Sequence, residues 1–353
     1  MRGFVFILFI IVLFGCANVV APRGGEKDTL SPVLESFVVE KNGDKTETHI
    51  TLLFDENIKP KEWENYFYIS PPLQKNIEKT VKGKVLELLI KEELLDNITY
   101  SISLSECIQD VNEGNSISNL QILFSESASI DSLKLSGKMI DSYTLKPISN
   151  AWVMLYSDSV IDSLILNIPP IYISKTTTDG YFNFPNLNTN NYSIIAISGF
   201  DLNYNNNEYI AFHNQKVSAD IDSFITLYGF KPVENLNSDS LDVNLSENDS
   251  IINSITDFGS LEIETEFKES IIIQMVQNEN ILFEKSFTTS PYIIDSLITG
   301  KYQLRCIIDS NSDMNWNTGS FEKKIQPEKV LIHPEEIMIR ENWEVKIVWK
   351  INQ

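Results

Sequence analysis

Short apolar runs that alternate with polar residues, each closed by a cluster of Asp, Asn, Ser or Gly, recur along most of this 353-residue chain. A period of two puts every second side chain on one face, which is the repeat of a half-buried strand and not of a helix. His49-Ile50-Thr51-Leu52-Leu53-Phe54 is one such run, closed by Asp55-Glu56-Asn57; Val85–Ile90, Tyr100–Leu104 and Leu120–Phe124 follow. Strands this short bury their apolar faces by packing two sheets together, so the pattern predicts an all-β fold of tandem β-sandwiches. Pro60–Asn65 has the makings of a single helical turn at a corner.

Composition narrows the function. Lys and Arg total 28 against 49 Asp and Glu, a formal net charge of −21 spread along the chain. A field of that sign repels phosphate backbones, so no nucleic-acid partner is expected. Of three cysteines, Cys107 and Cys306 sit far apart within apolar stretches. Two buried free thiols are expected, the alternative being a disulfide between different domains.

The third cysteine sets the expected location. Residues 1–15 start Met1-Arg2-Gly3, run apolar from Phe4 to Phe14 and end on Gly15. These are the parts of a secretory signal, and the run falls short of the ~20 apolar residues of a spanning helix. Leu13-Phe14-Gly15-Cys16 resembles the lipobox of bacterial lipoproteins, with Phe14 where Ala, Ser or Thr is usual. The resemblance implies cleavage before Cys16 and acylation of its thiol, a membrane partner held by ~0.8 kcal/mol per buried methylene. The alternative is an ordinary signal peptide with a cysteine near the cut by chance. Residues 16–27, with Pro22 and the Gly24-Gly25 pair and no period, read as a flexible tether. Ala17 is not an inner-membrane retention Asp and no acidic run follows, so the expected site is the outer membrane, facing the periplasm.

Two further resemblances divide the rest. "SPVLESF", "ITLLFDENIKP", "LELLIKEELLDNITYSISLSECIQDVNEGN" and "LQILFSE" resemble the bacterial Ig-like domain of the SbsA type, with Tyr100, Asp110, Gly114 and Asn115 at the matching positions. Further on, Gly137 to Asp141, Pro147-Ile148, Ala151-Trp152-Val153 and Thr178-Asp179-Gly180-Tyr181-Phe182-Asn183-Phe184 resemble the carboxypeptidase regulatory-like domain, a transthyretin-like sandwich. That family's domain positions other parts and carries no catalytic residues of its own. Asp179-Gly180 between alternating runs predicts a hairpin. Leu187-x-Thr-x-x-Tyr192 recurs as Leu297-x-Thr-x-x-Tyr302, which predicts that the C-terminal stretch repeats the second sandwich. The organisation expected is a signal segment (1–15), a tether (16–27), an Ig-like domain (28–128), a carboxypeptidase regulatory-like sandwich (129–230), a polar linker (231–256) and a related C-terminal sandwich (257–353).

Few residues suggest chemistry. Asp309, Asn311, Asp313 and Asn315 place an oxygen at every second position, as do Asp201, Asn203 and Asn205. Alternate oxygens of a tight loop can converge on Ca2+; the alternative is that they cap their own turns. Beyond that ion no cofactor is expected. His49, His213 and His333 fall in no motif that pairs them with a nucleophile, and no G-x-S-x-G, H-E-x-x-H, C-x-x-C or phosphate loop occurs. No catalytic residue is therefore assigned. Trp63, Tyr66, Phe67 and Tyr68, and later Trp316, Trp343 and Trp349, are either core aromatics or a sugar platform. The chain reads as a non-catalytic, lipid-anchored envelope protein of a Gram-negative bacterium, a scaffold or adaptor for another envelope protein. A carbohydrate- or ligand-binding lipoprotein and an envelope hydrolase are the alternatives.

Overall fold

The computed structural model describes residues 27–43, 46–125, 130–158, 162–232, 258–265 and 269–350. Cys16, the tether ahead of residue 27, the junction at 126–129 and residues 233–257 of the polar stretch lie outside the described residues. The described residues form three consecutive sandwiches, almost wholly of strands. Among them no helix is long and apolar enough to cross a membrane.

The first sandwich holds β1 (Leu34–Lys41), β2 (Thr48–Phe54), β3 (Ile58–Pro60), β4 (Tyr68–Ser70), β5 (Glu78–Lys82), β6 (Val85–Ile90), β7 (Thr99–Ser103), β8 (Ile108–Asp110) and β9 (Gln121–Ser125). One sheet runs β1-β2-β6-β5, a second β4-β7-β9, and β3 pairs with β8. β2 keeps its alternation: Ile50, Leu52 and Phe54 are buried while His49, Thr51 and Leu53 face out. The helical turn comes at Trp63–Tyr66, with Trp63 buried. Asp110 explains the Asp and Gly of the turn after β8. Its carboxylate accepts the N–H groups of Glu113, Gly114 and Asn115 at 2.6, 2.9 and 2.7 Å, and Gly114 has φ +82°.

The second sandwich holds β10 (Leu133–Asp141), β11 (Trp152–Ser157), β12 (Tyr172–Lys175), β13 (Tyr181–Leu187), β14 (Asn191–Ile197), β15 (Ile210–Phe212), β16 (Val217–Ser218) and β17 (Phe224–Gly229). The third holds β18 (Phe258–Glu264), β19 (Ile271–Gln277), β20 (Asn280–Phe287), β21 (Tyr292–Ile298), β22 (Gly300–Ile308), β23 (Val330–Ile332), β24 (Ile337–Ile339) and β25 (Glu344–Val348). Sheet β13-β10-β17 corresponds strand for strand to β21-β18-β25, and β12-β11-β14-β15, with β16 on β14, to β20-β19-β22-β23, with β24 on β22. In both, the first strand of the sandwich pairs in parallel with the last. The same irregularity in register recurs as well, next to Leu187 in one and Leu297 in the other.

The repeated tyrosine has a physical reason. Tyr192 donates its hydroxyl to the Asn188 carbonyl at 3.3 Å and Tyr302 donates to the Ile298 carbonyl at 2.8 Å, each tying a strand to the turn before it. Tyr100 of the first sandwich does related work by accepting the Leu95 N–H at 2.9 Å.

One expectation needs correction. Thr177 to Gly180 do form a tight turn, with Gly180 N–H on the Thr177 carbonyl at 2.9 Å and φ +78°. The strands it joins do not pair with each other. β12 pairs with β11 and β13 with β10, so the turn carries the chain from one sheet across to the other. The reason is the seat of Gly180: a Cβ there would lie 2.6 Å from the Met139 carbonyl oxygen, so the turn is pressed against β10.

The sandwiches are sewn together through sheet faces. β7 is buried on both sides: Tyr100 and Ile102 enter the first core, and Thr99, Ser101 and Ser103 lie under the second sandwich. Ser70 Oγ accepts the Ile173 N–H at 2.9 Å, Lys175 donates to the Asn65 carbonyl at 2.8 Å, and Tyr68 meets Trp152 edge-on at 5.6 Å. Asp131 is stapled to Thr99 by two hydrogen bonds, of 2.8 and 3.0 Å. Between the second and third sandwiches, Tyr143 from the turn after β10 lies on Ile272, Ile307 and Val330 beside Trp316. Its hydroxyl accepts the Gln274 amide at 2.9 Å, and Arg305 donates to its carbonyl while lying 4.5 Å over its ring. The 309–329 segment between β22 and β23 returns the contact, laying Phe321 5.5 Å from Phe212 and Gly319 against Phe230.

Two measurements test this packing. Burial raises the Asp110 carboxyl, but the N–H groups of Gly114, Asn115, Glu113 and Asn112 outweigh it and hold the group below the usual range. A carboxyl lowered in the folded state stabilises above its unfolded value, ~3.9, and loses that contribution as pH falls through the folded one. Asp110→Asn therefore melts below wild type at neutral pH, and the gap closes as pH falls below about 4; a constant gap contradicts the assignment. Tyr143→Ala strips a ring, a cation contact and a hydrogen bond from one interface, a loss of about 3 kcal/mol of coupling. Calorimetry of the variant shows the third sandwich melting apart from the second, and an unchanged trace refutes the coupling.

Candidate functional site

The residues singled out for chemistry do not converge. His49 stands exposed on β2, with Nε2 3.9 Å from Glu47. His213 follows β15 and His333 follows β23, so they occupy equivalent positions in the two repeats, a match the bare sequence hides because the flanking residues differ. Each places Nδ1 2.9 Å from the carbonyl two residues on, of Gln215 and Glu335. His213 N–H bonds the Ile194 carbonyl and His333 N–H the equivalent Leu304 carbonyl. The histidines thus close the turn that leads to β16 and β24, and none stands by a nucleophile. Cys107 and Cys306 are free and buried, in different sandwiches, and burial pushes both thiols up to about 12. A thiol so placed stays protonated and unreactive at neutral pH.

The two Asp/Asn loops also occupy equivalent places, between β14 and β15 and between β22 and β23. Asp201 accepts the Asn203 N–H at 2.9 Å, and Asn205 N–H goes to Glu208 at 3.1 Å. In the other loop, buried Asp309 accepts the Asp313 and Met314 N–H groups, both at 3.1 Å. Asp313 accepts from the Asn317 side chain and from the Asn315 N–H, contacts that hold its carboxyl below the usual range. Asn311 Oδ1 takes the Asp313 N–H at 3.0 Å. These oxygens face backbone N–H groups, the arrangement of side chains that cap their own turns. Among the described residues no group of three or more His, Cys, Asp or Glu is placed to hold a metal ion.

Most of the aromatics named from sequence are structural. Trp63 stacks on Phe67 at 4.3 Å, Tyr68 is half-buried against Trp152 at the first interface, Trp316 packs on Tyr143, and Trp349 is buried beside His333. Tyr66 and Trp343 are exposed, in different sandwiches. A different aromatic group lies open on the outer face of β13-β10-β17: Tyr181, Phe224 and Tyr228. The alternation of β17 (Phe224, Thr226 and Tyr228 out, Ile225 and Leu227 in) was the signal for it.

That face runs into a cleft of about 510 Å³ between the second sandwich and the 309–329 segment of the third. Thr226 and Tyr228 of β17 line it, with Ser142, the stretch Phe212–Gln215 and the stretch Gln326–Lys329. Gln326 latches its upper end, donating to the Phe212 carbonyl at 2.9 Å and to Asn214 Oδ1 at 3.2 Å. Glu328 accepts the Ser310 and Asn317 N–H groups at 2.8 and 3.0 Å, and burial raises its carboxyl above the usual range despite those bonds. The volume falls within the ~300–1,000 Å³ of small-ligand sites. The lining offers amides, hydroxyls, an imidazole, the aromatic rings of Phe212 and Tyr228, the Glu328 carboxyl and Lys329, groups able to bind a polar ligand.

No curated protein matches the sequence. Among solved structures, fervidolysin from Fervidobacterium pennivorans, a keratinolytic enzyme related to subtilisin, is similar at 11% identity over 62% of this chain and 30% of its own, with a TM-score of 0.22. The Bacillus anthracis TIE protein is similar at 12% identity over 93% and 59%, TM-score 0.19. The major pilin subunit of Bacillus cereus is similar at 10% identity over 57% and 70%, TM-score 0.20. This chain thus spans less than two thirds of the first two, and at such TM-scores none of the three bears on what it does. The sequence comparison is more definite: residues 28–136 match the family of the bacterial Ig-like domain.

Proposed function

We propose that this chain is a non-catalytic, lipid-anchored protein of the Gram-negative cell envelope, a scaffold or adaptor that holds a partner protein near the outer membrane. The observation that carries the reading is the packing between sandwiches. Ser70 on Ile173, Asp131 on Thr99, and Tyr143 between Arg305 and Gln274 fix each sandwich against the next. Modules joined in this way keep their surfaces at set positions, which suits holding a partner. The match of residues 28–136 to the bacterial Ig-like domain family supports the same role, as does the resemblance of the sequence over 137–187 to the carboxypeptidase regulatory-like domain. Acylation of Cys16 supplies the anchor, and the periplasmic face of the outer membrane is part of this proposal.

Membrane fractionation of wild type and Cys16→Ser tests it. The wild type is expected in the membrane pellet, with its mature amino terminus heavier by acyl chains in mass spectrometry, and the variant in the soluble fraction. Cross-linking in intact cells then recovers the same envelope protein with wild type at much higher yield than with the variant. A variant that stays with the membrane, or an unmodified amino terminus, removes the anchor from the proposal, and turnover of a substrate by the purified chain removes the non-catalytic role.

A further inference from the structure

We infer that the cleft between the second and third sandwiches, continued by the open aromatic face of β17, binds an uncharged glycan chain. This goes beyond the scaffold reading and does not depend on acylation of Cys16. The cleft presents donors and acceptors side by side. His213 donates to the Gln215 carbonyl through Nδ1 at 2.9 Å, which leaves Nε2 outside that bond. Asn214, Thr226 and Ser142 add an amide and two hydroxyls to the same wall. A polyhydroxylated ligand, whose every hydroxyl both donates and accepts, matches this mixture better than an ion of either sign.

Charge points the same way. The carboxylate of Glu328 is taken up by two backbone N–H groups, and of the two lysines at the site Lys329 lines the cleft while Lys138, opposite Thr226, lies 4.8 Å over the Tyr181 ring. A net charge of −21 on the chain opposes an anionic ligand. Apolar stacking is supplied by the ring of Tyr228, 36% exposed, and farther along the same strand face by that of Phe224, 53% exposed. Four residues of strand put the two about 13 Å apart, room for successive sugar rings on one surface. Both are held on the sheet, and Tyr181 meets Phe224 edge-on at 6.4 Å, a contact that restrains that ring. Rigid aromatic platforms beside a polar cleft cost little entropy when a ligand arrives.

The test is calorimetric titration of the full chain with maltohexaose, cellohexaose and mannohexaose, with an oligogalacturonate and a Ser/Asn-rich peptide as comparisons. At least one neutral hexasaccharide binds and the other two ligand classes do not. Tyr228→Ala and Phe224→Ala each weaken that binding roughly tenfold. Phe37→Ala, an exposed ring on β1 of the first sandwich, leaves it unchanged. Melting curves of all three variants stay close to wild type, because none of these rings is buried. No binding of any neutral oligosaccharide, binding of the peptide or the anionic chain instead, or binding that survives both β17 substitutions overturns the inference.

Discussion

β11 turns Trp152, Met154 and Tyr156 away from the core of its own sandwich, and its neighbours β14 and β15 add Ile195, Ile197, Ile210 and Phe212 to the same outward face. Left to water, that face would expose far more contiguous apolar surface than a lone soluble domain carries. It is covered from four directions, one of them the segment between β11 and β12, which lays Ile165, Leu166 and Ile168 on it. Tyr68 arrives from the first sandwich, Leu202 and Tyr204 from the loop between β14 and β15, and Phe321 from the third sandwich. At ~1.5–3 kcal/mol for each large apolar side chain removed from water, this shared layer ranks with the internal cores as a source of stability. The second sandwich is therefore the middle of the molecule energetically as well as in sequence.

The internal repeat shows how one topology serves two ends. Between β14 and β15 the loop folds back on its own sheet. The equivalent 309–329 segment is longer and reaches the neighbour, anchored at its base by Asp309 on the 313–314 backbone and by Glu328 on Ser310 and Asn317. The oxygens that alternate along this loop thus have a mechanical role: they set the course of the segment that carries Phe321 to Phe212 and Gln326 to the cleft. The corresponding outward face of the third sandwich is treated differently. Gln274 and Arg305, opposite each other on β19 and β22, interrupt an otherwise apolar surface and meet Tyr143. Polar groups buried at such a contact favour the orientation in which Gln274 Nε2 and the Arg305 guanidinium keep Tyr143 as their partner.

How much of this the sequence revealed depended on whether a residue's partner was local. β2 and β9 bury one face each, and their alternation was readable directly. β7 alternates just as well, yet both of its faces are covered, since the seryl face lies against another sandwich and nothing local records that. β11 is an unbroken apolar run, which identified a strand without saying what lay on its second side. Asp179-Gly180 identified a turn; the partners of the strands it joins depended on β10 and β11, far away in sequence. The tyrosines at 192 and 302 were readable as a repeat because their bonds go four residues back, while the equivalence of His213 and His333 emerges only once β15 and β23 are superposed in topology. The aromatics were the least readable. Trp63 and Tyr68 have the composition of a platform and are packed away, whereas Phe224 and Tyr228 sit in an ordinary alternating strand and stand open.

Arg305 shows why an acidic chain does not simply neutralise its buried cation. With 49 carboxylates available, a salt bridge would be easy to supply, yet among the described residues Arg305 forms none. Pairing at that depth would require removing a second charge from water, and the desolvation of both ions can exceed what their attraction returns. The guanidinium instead takes a carbonyl and the face of Tyr143, partners already dehydrated by the interface and supplied by the very residue that defines it. Apart from Asp110, Asp309 and Glu328, which are buried on backbone N–H groups, most carboxylates of the described residues lie at the surface, where their mutual repulsion keeps chains apart in solution. Apart from the exposed Lys146–Glu279 ion pair at 2.6 Å, cohesion between the sandwiches rests on apolar packing, hydrogen bonds and cation–π contacts that salt screens little, and solubility rests on charges that salt does screen.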